Sequence, residues 1–417
     1  MRVLIVNTSE RTGGAAVAAN RLMEALIKNG VKAKMLVRDK QTDNPCVIAH
    51  PQQRRLRWAF LWERLAIWLR LGLRRKHLFD IDTGQCGADI TQLPEFQEAD
   101  VIHLHWVNQG MLSLKQIKKI LDSGKRIVWT MHDMWEMTGI CHHAYRCDKY
   151  YQKCNCCPLL TFSGSRDFSS KVFKRKEKLF EHSEIKFVAV SNWLAGCARK
   201  SALIGNRKIC VIPNSISLSH FPMTGCKEAR SLLHLKNNYI ITFGAARIDD
   251  GIKGFTYLLE ALTLLIGRKQ INRDEIHLLL FGGIKDKRIL SNIPVPYTYY
   301  GYVSDLNMIS LFYSASNVVV SSSYYETFGQ TLIEAQACGS TPVAFSGSGQ
   351  EDIITHKVNG YLAEQLSAES LADGIYWALN TGLERSMLRK NVEVHYSESI
   401  IARKYMEVYN EVISTEA

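Results

Sequence analysis

Apolar positions along the chain fall into short unbroken runs separated by stretches with helical spacing. Val3-Leu-Ile-Val6 has no polar face, as in a strand covered on both sides of a sheet. After a loop holding Gly13-Gly14 the period changes to that of a helix over Ala15–Lys28, closed by Asn29-Gly30. The alternation recurs as a strand at Asp100–His105 before a helix near Leu114–Asp122, a strand at Arg126–Thr130, and a strand at Lys186–Val190 leading into a helix from Ser191. After Cys210-Val-Ile-Pro213 the series restarts. Strands are predicted at Tyr239–Phe243, Ile276–Phe281, Thr298–Val303, Asn317–Ser321 and Thr341–Phe345, and helices at Phe255–Leu265, Asp305–Ser314 and Gln330–Cys338. Strands alternating with helices predict an α/β chain of two doubly wound, Rossmann-like halves. The first spans 1–208 and the second 209–397, with a C-terminal helix at about 398–417 packing back on the first; a ligand cleft is expected between the halves.

The chain has 417 residues, 46% hydrophobic and 22% charged, with 9 prolines, which excludes a disordered or low-complexity protein. Its net charge of +12 favours an anionic partner. The opening apolar run is too short for an export signal and no stretch is long enough to span a bilayer, so a cytoplasmic or peripheral protein is expected. In a reducing compartment the eleven cysteines read as thiols or metal ligands.

The chemistry concentrates in Ser321–Pro342. A strand there runs through a turn into a helix near Gly329, whose first amides, at Gly329, Gln330 and Thr331, form an anion site. Glu326 and Glu334 flank it, eight positions apart. If most of that interval is helical they stand roughly 12 Å apart. Acid and base acting on one glycosidic bond need about 5 to 9.5 Å, so the pair suits opposite ends of one elongated ligand. Arg247 and Lys253-Gly254, on a loop between a strand and a helix, supply two cations suited to a diphosphate. Gly13-Gly14 permits close approach to a phosphate or sugar, but the three-glycine dinucleotide fingerprint is absent. His103-Leu-His105-Trp106 and His132-Asp133-Met-Trp135 sit at predicted strand ends. Two histidines without a third ligand do not make a metal site.

These motifs resemble the retaining glycosyltransferases of family 4, which have the two-Rossmann-domain GT-B fold and use nucleotide-diphosphate sugars. The Glu-x7-Glu spacing carries the resemblance, together with Phe328-Gly329, Cys338-Gly339, Pro342-Val343 and Asn359-Gly360. It implies that Glu326 holds donor-sugar hydroxyls and Glu334 the nucleotide ribose. Arg247 and Lys253 would stabilise the departing diphosphate, with His132 near the sugar. Gly13, Gly14, Gly329, Gln330, Thr331, Leu332 and Asn214 would complete the donor site, and His103 and His105 are acceptor-side candidates. The usual Asn-Gly-Ile-Asp hinge is replaced by Asn214-Ser-Ile-Ser217. No metal is required for transfer, so Asp80-Ile-Asp82 is not read as a metal motif.

Two segments fall outside this scheme. Cys141, Cys147, Cys154 and Cys157 offer four soft ligands for a closed structural zinc. Residues 54–77 hold seven arginines and Lys76 against Glu63 alone, with Trp58, Trp62, Leu65, Leu69 and Leu73 on one helical face and Glu63, Arg70 and Arg74 turned away. That is a membrane-interface pattern. The expectation is a retaining glycosyltransferase, peripheral at the inner face of the cell membrane. It takes a UDP- or GDP-sugar and a lipid-linked saccharide in capsule, O-antigen or exopolysaccharide synthesis, without nucleic acid. The rivals are an epimerase of the same fold and a non-catalytic membrane- or nucleic-acid-binding protein.

Overall fold

Every residue from Val3 to Ser9 is buried, which is why this strand is apolar on both faces. In the computed structural model, which describes residues 1–414, it is β1 (Arg2–Ser9), an inner strand of a seven-stranded sheet. The first unit continues with α1 (Gly14–Lys28), β2 (Lys32–Asp39), β3 (Val47–Ala49), α2 (Gln53–Arg70), α3 (Pro94–Glu98), β4 (Val101–Leu104), α4 (Leu114–Leu121) and β5 (Arg126–Met131). It is completed by α5 (Phe168–Phe180), β6 (Ile185–Ala189), α6 (Asn192–Arg199) and β7 (Ile209–Val211). The strand order is β3-β2-β1-β4-β5-β6-β7, all parallel. Helix starts follow side-chain caps: Ser113 and Gln116 form a capping box, and the Ser191 hydroxyl accepts from the Leu194 amide.

The second unit holds α7 (Cys226–Leu232), β8 (Tyr239–Arg247), α8 (Phe255–Gly267), β9 (Ile276–Gly283), β10 (Tyr297–Tyr299), α9 (Leu306–Ala315) and β11 (Val318–Ser321). After these come α10 (Gln330–Ala337), β12 (Thr341–Phe345), β13 (Tyr361–Ala363), α11 (Ala368–Thr381) and α12 (Arg385–Tyr396). Its six parallel strands are ordered β10-β9-β8-β11-β12-β13. Its core is built from Ile241, Leu258, Leu278, Val318, Val343 and Leu371. The last helix, α13 (Glu398–Ser414), puts Ile401, Tyr405, Val408 and Tyr409 into the first unit's core with Val3, Ile5, Leu22 and Val128. The end of the expected 398–417 helix, residues 415–417, lies outside the described residues.

Three readings of the sequence need correction. The expected strands omitted β2 and β3, because lysines alternate with apolar residues in β2 and β3 has only three residues. The first compact unit ends after Ser215 instead of residue 208, since β7 pairs with β6; the second unit is Ile216–Ile400, and the chain from Ile401 rejoins the first. The basic helix stops at Arg70, where Gly72 and Leu73 take positive φ, and its Glu63 faces the protein instead of solvent.

In each sheet the chain reverses its direction of travel once, between β1 and β4 in the first and between β8 and β11 in the second. Crevices at the carboxyl ends of such strand pairs are where open α/β sheets bind ligands.

Candidate functional site

The two cationic and acidic motifs of the second unit follow the strands that flank its reversal. β8 ends at Arg247, and a short turn over Gly251–Lys253, capped by the Asp250 carboxylate, leads to Gly254. Gly254 has φ 65°, and a Cβ there would lie 2.0 Å from the Ser322 carbonyl oxygen, so only glycine fits. The segment after β11 is fastened to this turn. The Ser322 hydroxyl donates to the carbonyls of Lys253 (3.1 Å) and Gly254 (2.9 Å), and the Tyr324 amide donates to Ile252 (3.2 Å). The result is an ion pair of 2.7 Å between Lys253 Nζ and Glu326 Oε2. Burial alone would pull the lysine's pKa down, but the Glu326 carboxylate outweighs it and holds the ammonium above its ordinary range. Arg247 lies half exposed beside Asp249 (3.3 Å) and Asp250 (3.4 Å).

A buried glutamine sets the Glu326 loop. Gln350 Oε1 accepts from the Ser321 hydroxyl and its Nε2 donates to the Ser323 carbonyl (2.9 Å), while the Gly349 amide donates to the Glu326 carbonyl (2.8 Å). A Cβ at Gly349 would meet Thr327 O at 2.2 Å. Gly329, with φ 109°, starts α10, where Gln330 and Thr331 are half-buried and Glu334 is buried. The helix begins only at Gln330, so half of the Glu326–Glu334 interval is loop and the helical estimate of their separation does not apply. The Leu332 side chain is in the core and its amide donates to Gly329 O (3.0 Å). Asn359 has a structural task, taking the Thr355 amide (2.7 Å) and giving to Ile353 O (3.1 Å). Asn214 is buried and belongs to the first unit.

In the first unit Gly13 has φ 93° and precedes α1 with open space where a Cβ would stand, and Gly14 opens that helix. His103, on β4, and His105, just past it, are buried, and His132, just past β5, lies half-buried against His105. His103 has both ring nitrogens committed, Nδ1 to the Tyr409 hydroxyl (2.7 Å) and Nε2 to that of Thr130 (2.8 Å), so it is a core residue. His105 Nδ1 lies 2.8 Å from His132 Nε2. Burial holds His103 down to about 3 and His132 down to about 4, and carries His105 well below its ordinary value. All three are neutral at pH 7.

Beside them is a pair the sequence did not reveal. Asp133 Oδ2 accepts from His142 Nδ1 (2.8 Å) and Trp106 Nε1 (2.7 Å), and its Oδ1 accepts from the Trp135 amide (2.8 Å). Burial pushes the carboxyl up, yet His142 and these donors outweigh it and hold Asp133 at about 2. The bonded carboxylate fixes the orientation of the His142 ring, with a proton on Nδ1. The His142 signal was hidden because Cys141 next to it invited a metal reading.

The four cysteines lie near enough that neighbouring thiolates push the Cys141, Cys154 and Cys157 thiols up, on top of the larger effect of burial. Among the described residues no three His, Cys, Asp or Glu side chains are grouped to hold a metal, and the Cys154 sulfur accepts from the Gly139 amide (3.2 Å).

Comparison with known proteins gives one reading for both units. Residues 12–220 match the model of Glycosyltransferase Family 4 and residues 227–395 that of Glycosyl transferases group 1. The chain is 27% identical over 241 residues to the N,N'-diacetylbacillosaminyl-diphospho-undecaprenol alpha-1,3-N-acetylgalactosaminyltransferase of Campylobacter jejuni; the match covers 54% of this chain and 60% of that enzyme. It is 22% identical over 262 residues to the capsular polysaccharide biosynthesis glycosyltransferase CapM of Staphylococcus aureus, covering 59% and 66%. Solved structures of the same fold include sucrose-phosphate synthase from Thermosynechococcus elongatus (TM-score 0.67, 19% identity, all of both chains). Others are Anabaena HepE in complex with UDP and glucose (0.62, 16%, covering 99% and 100%) and WaaG, a glycosyltransferase involved in lipopolysaccharide biosynthesis (0.62, 14%, all of both chains). The two sheets are those of the GT-B architecture.

Proposed function

Because the chain belongs to glycosyltransferase family 4, we propose that it transfers a sugar from a nucleoside-diphosphate donor to a saccharide acceptor with retention of anomeric configuration. The observation that carries this reading is the Lys253–Glu326 pair with Arg247 at the reversal of the second sheet. Permanent cations at that edge neutralise a departing diphosphate, and the carboxylate beside them takes hydroxyls of the sugar. As the sugar–phosphate bond loosens, negative charge grows on the leaving oxygen and is met by Lys253 and Arg247. The acceptor hydroxyl attacks from the same face and passes its proton to that oxygen, so no covalent sugar–enzyme adduct forms. Glu334 and the start of α10 take the nucleoside side.

The acceptor, on this reading, is a lipid-linked saccharide of cell-surface polysaccharide synthesis, met at the inner face of the membrane. The diphospho-undecaprenol acceptor in the name of the Campylobacter enzyme supports it. Among the described residues no helix is long and apolar enough to cross a membrane, which fits peripheral attachment. UDP- and GDP-sugars are the donors to try, and UDP bound to the HepE structure puts UDP first. A structural zinc on Cys141, Cys147, Cys154 and Cys157 belongs to the same reading and requires the four sulfurs to regroup. About one zinc per chain by elemental analysis supports it, and a metal-free folded protein removes it.

The test is a panel of nucleotide sugars screened for protection against thermal unfolding, followed by transfer and determination of the product's anomeric configuration by NMR. One protective donor and a retained glycoside are expected. An inverted product refutes the mechanism, and a nucleotide-bound isomer with no glycoside marks an epimerase.

A further inference from the structure

Helix α2 has two unlike faces. Its inner face is fastened by buried polar groups. Glu63 Oε1 accepts from the Thr83 amide (3.1 Å) and hydroxyl (2.6 Å), and Arg64 donates to Leu78 O (2.6 Å) and Asp82 Oδ2 (3.3 Å). Asp82 Oδ2 also takes the Gln109 amide (2.6 Å). At Gly110, φ 81°, a Cβ would come 2.7 Å from the Phe60 amide nitrogen, so the helix backbone rests directly on the loop that follows β4.

Among the described residues the outer face is left largely uncovered. Trp58 is 72% exposed and Trp62 64%, and Leu61, Leu65 and Leu69 are exposed beside them, with Leu73 and Phe79 beyond the helix end. Apolar side chains of this size in one stretch are not normally left to water. Exposed cations stand at both ends, Arg54, Arg55 and Arg57 before the tryptophans and Arg74, Arg75 and Lys76 after the leucines. The single acid of the segment, Glu63, is buried underneath.

We propose that this face docks on an anionic lipid bilayer, the tryptophans and leucines entering the headgroup–acyl boundary while the terminal arginines meet lipid phosphates. A second copy of the chain is the poorer occupant, since two such faces would set like charges against each other. The inference deepens the lipid-linked acceptor reading and rests on it for its purpose. Because α2 is pinned to Asp82 and to Gln109-Gly110, docking would fix the carboxyl edge of β4 relative to the membrane surface.

The experiment is sedimentation of the full chain with vesicles of phosphatidylglycerol and phosphatidylcholine, or of phosphatidylcholine alone, at low and high salt. Binding is expected only to the anionic vesicles, weakened by salt and not displaced by millimolar inorganic phosphate. The double variant W58S/W62S should bind roughly tenfold or more weakly, and R54Q/R55Q/R57Q should lose most of the salt dependence. Protection of each variant by the donor found above checks its fold. Failure of the wild type to sediment, or undiminished binding of W58S/W62S, overturns the proposal. So does a dimer in solution that W58S/W62S abolishes, because the occupant is then another copy. A protein that binds vesicles but no nucleotide sugar leaves docking standing and removes the glycosyltransferase reading.

Discussion

Lys253 and Glu326 are 73 positions apart in the chain, yet their charged atoms are 2.7 Å apart. Neither position is unusual alone; their value comes from two turns that meet through Ser322 and Gly254. Lys253→Ala and Glu326→Ala are each expected to lower kcat by roughly a hundredfold or more with the melting transition retained, as for loss of one preorganised charge contact. Near-normal turnover in folded Lys253→Ala would remove the diphosphate assignment. Gly254→Ala should be worse than its small change suggests, since the new methyl group falls on the Ser322 carbonyl. Turnover should drop with Lys253 itself intact. In the first unit, Asp133→Asn replaces a charge-assisted bond to His142 by a neutral one. A loss of about 1.5 to 3 kcal/mol is expected, read from urea unfolding.

At the scale of elements, α13 is the clearest case of a segment whose role depends on where it packs. Its Tyr405 and Tyr409 hydroxyls reach Thr130 and His103 across hundreds of positions of sequence, and its apolar face completes the first unit's core. Tyr409→Phe should cost about 1 kcal/mol, as for one lost hydrogen bond. Ending the chain at residue 400 strips the core of Ile401, Ala402 and Val408 and should abolish cooperative unfolding of that unit. Trp377 is the one tryptophan in the second unit, so tryptophan fluorescence reports chiefly on the first and suits both measurements. The cysteine loop can be tested in the same way. Cys154→Ser disturbs the contact with the Gly139 amide and should cost about 1 to 3 kcal/mol, with parallel melts in a chelator showing any share held by a metal.

Across the whole molecule, pH acts through buried groups of opposite sign. His103 has a folded pKa of about 3 against 6.5 when solvated, so the native state binds fewer protons than the unfolded chain between those values. Stability from this group is complete above about pH 6.5 and is lost as pH falls toward 3, by about 1.4 kcal/mol per unit. Burial of Glu63 raises its pKa to about 8, so its effect runs the other way and stability falls as pH rises from about 4.5 to 8. His103→Gln should flatten the acid limb of the urea-midpoint profile relative to wild type below pH 6.5, and an unchanged limb would show that His103 is not the titrating group. Alternation of apolar runs with helical spacing determined the two doubly wound halves, and the motif at Glu326–Glu334 pointed to the family. Both were legible because period and turn residues are local properties of the chain. What the sequence left undecided were contacts between distant segments: the Lys253–Glu326 pair, the Asp133–His142 pair and the inward turn of Glu63. These depend on which strand ends and helix faces the sheet order brings side by side, and local spacing carries no record of that order.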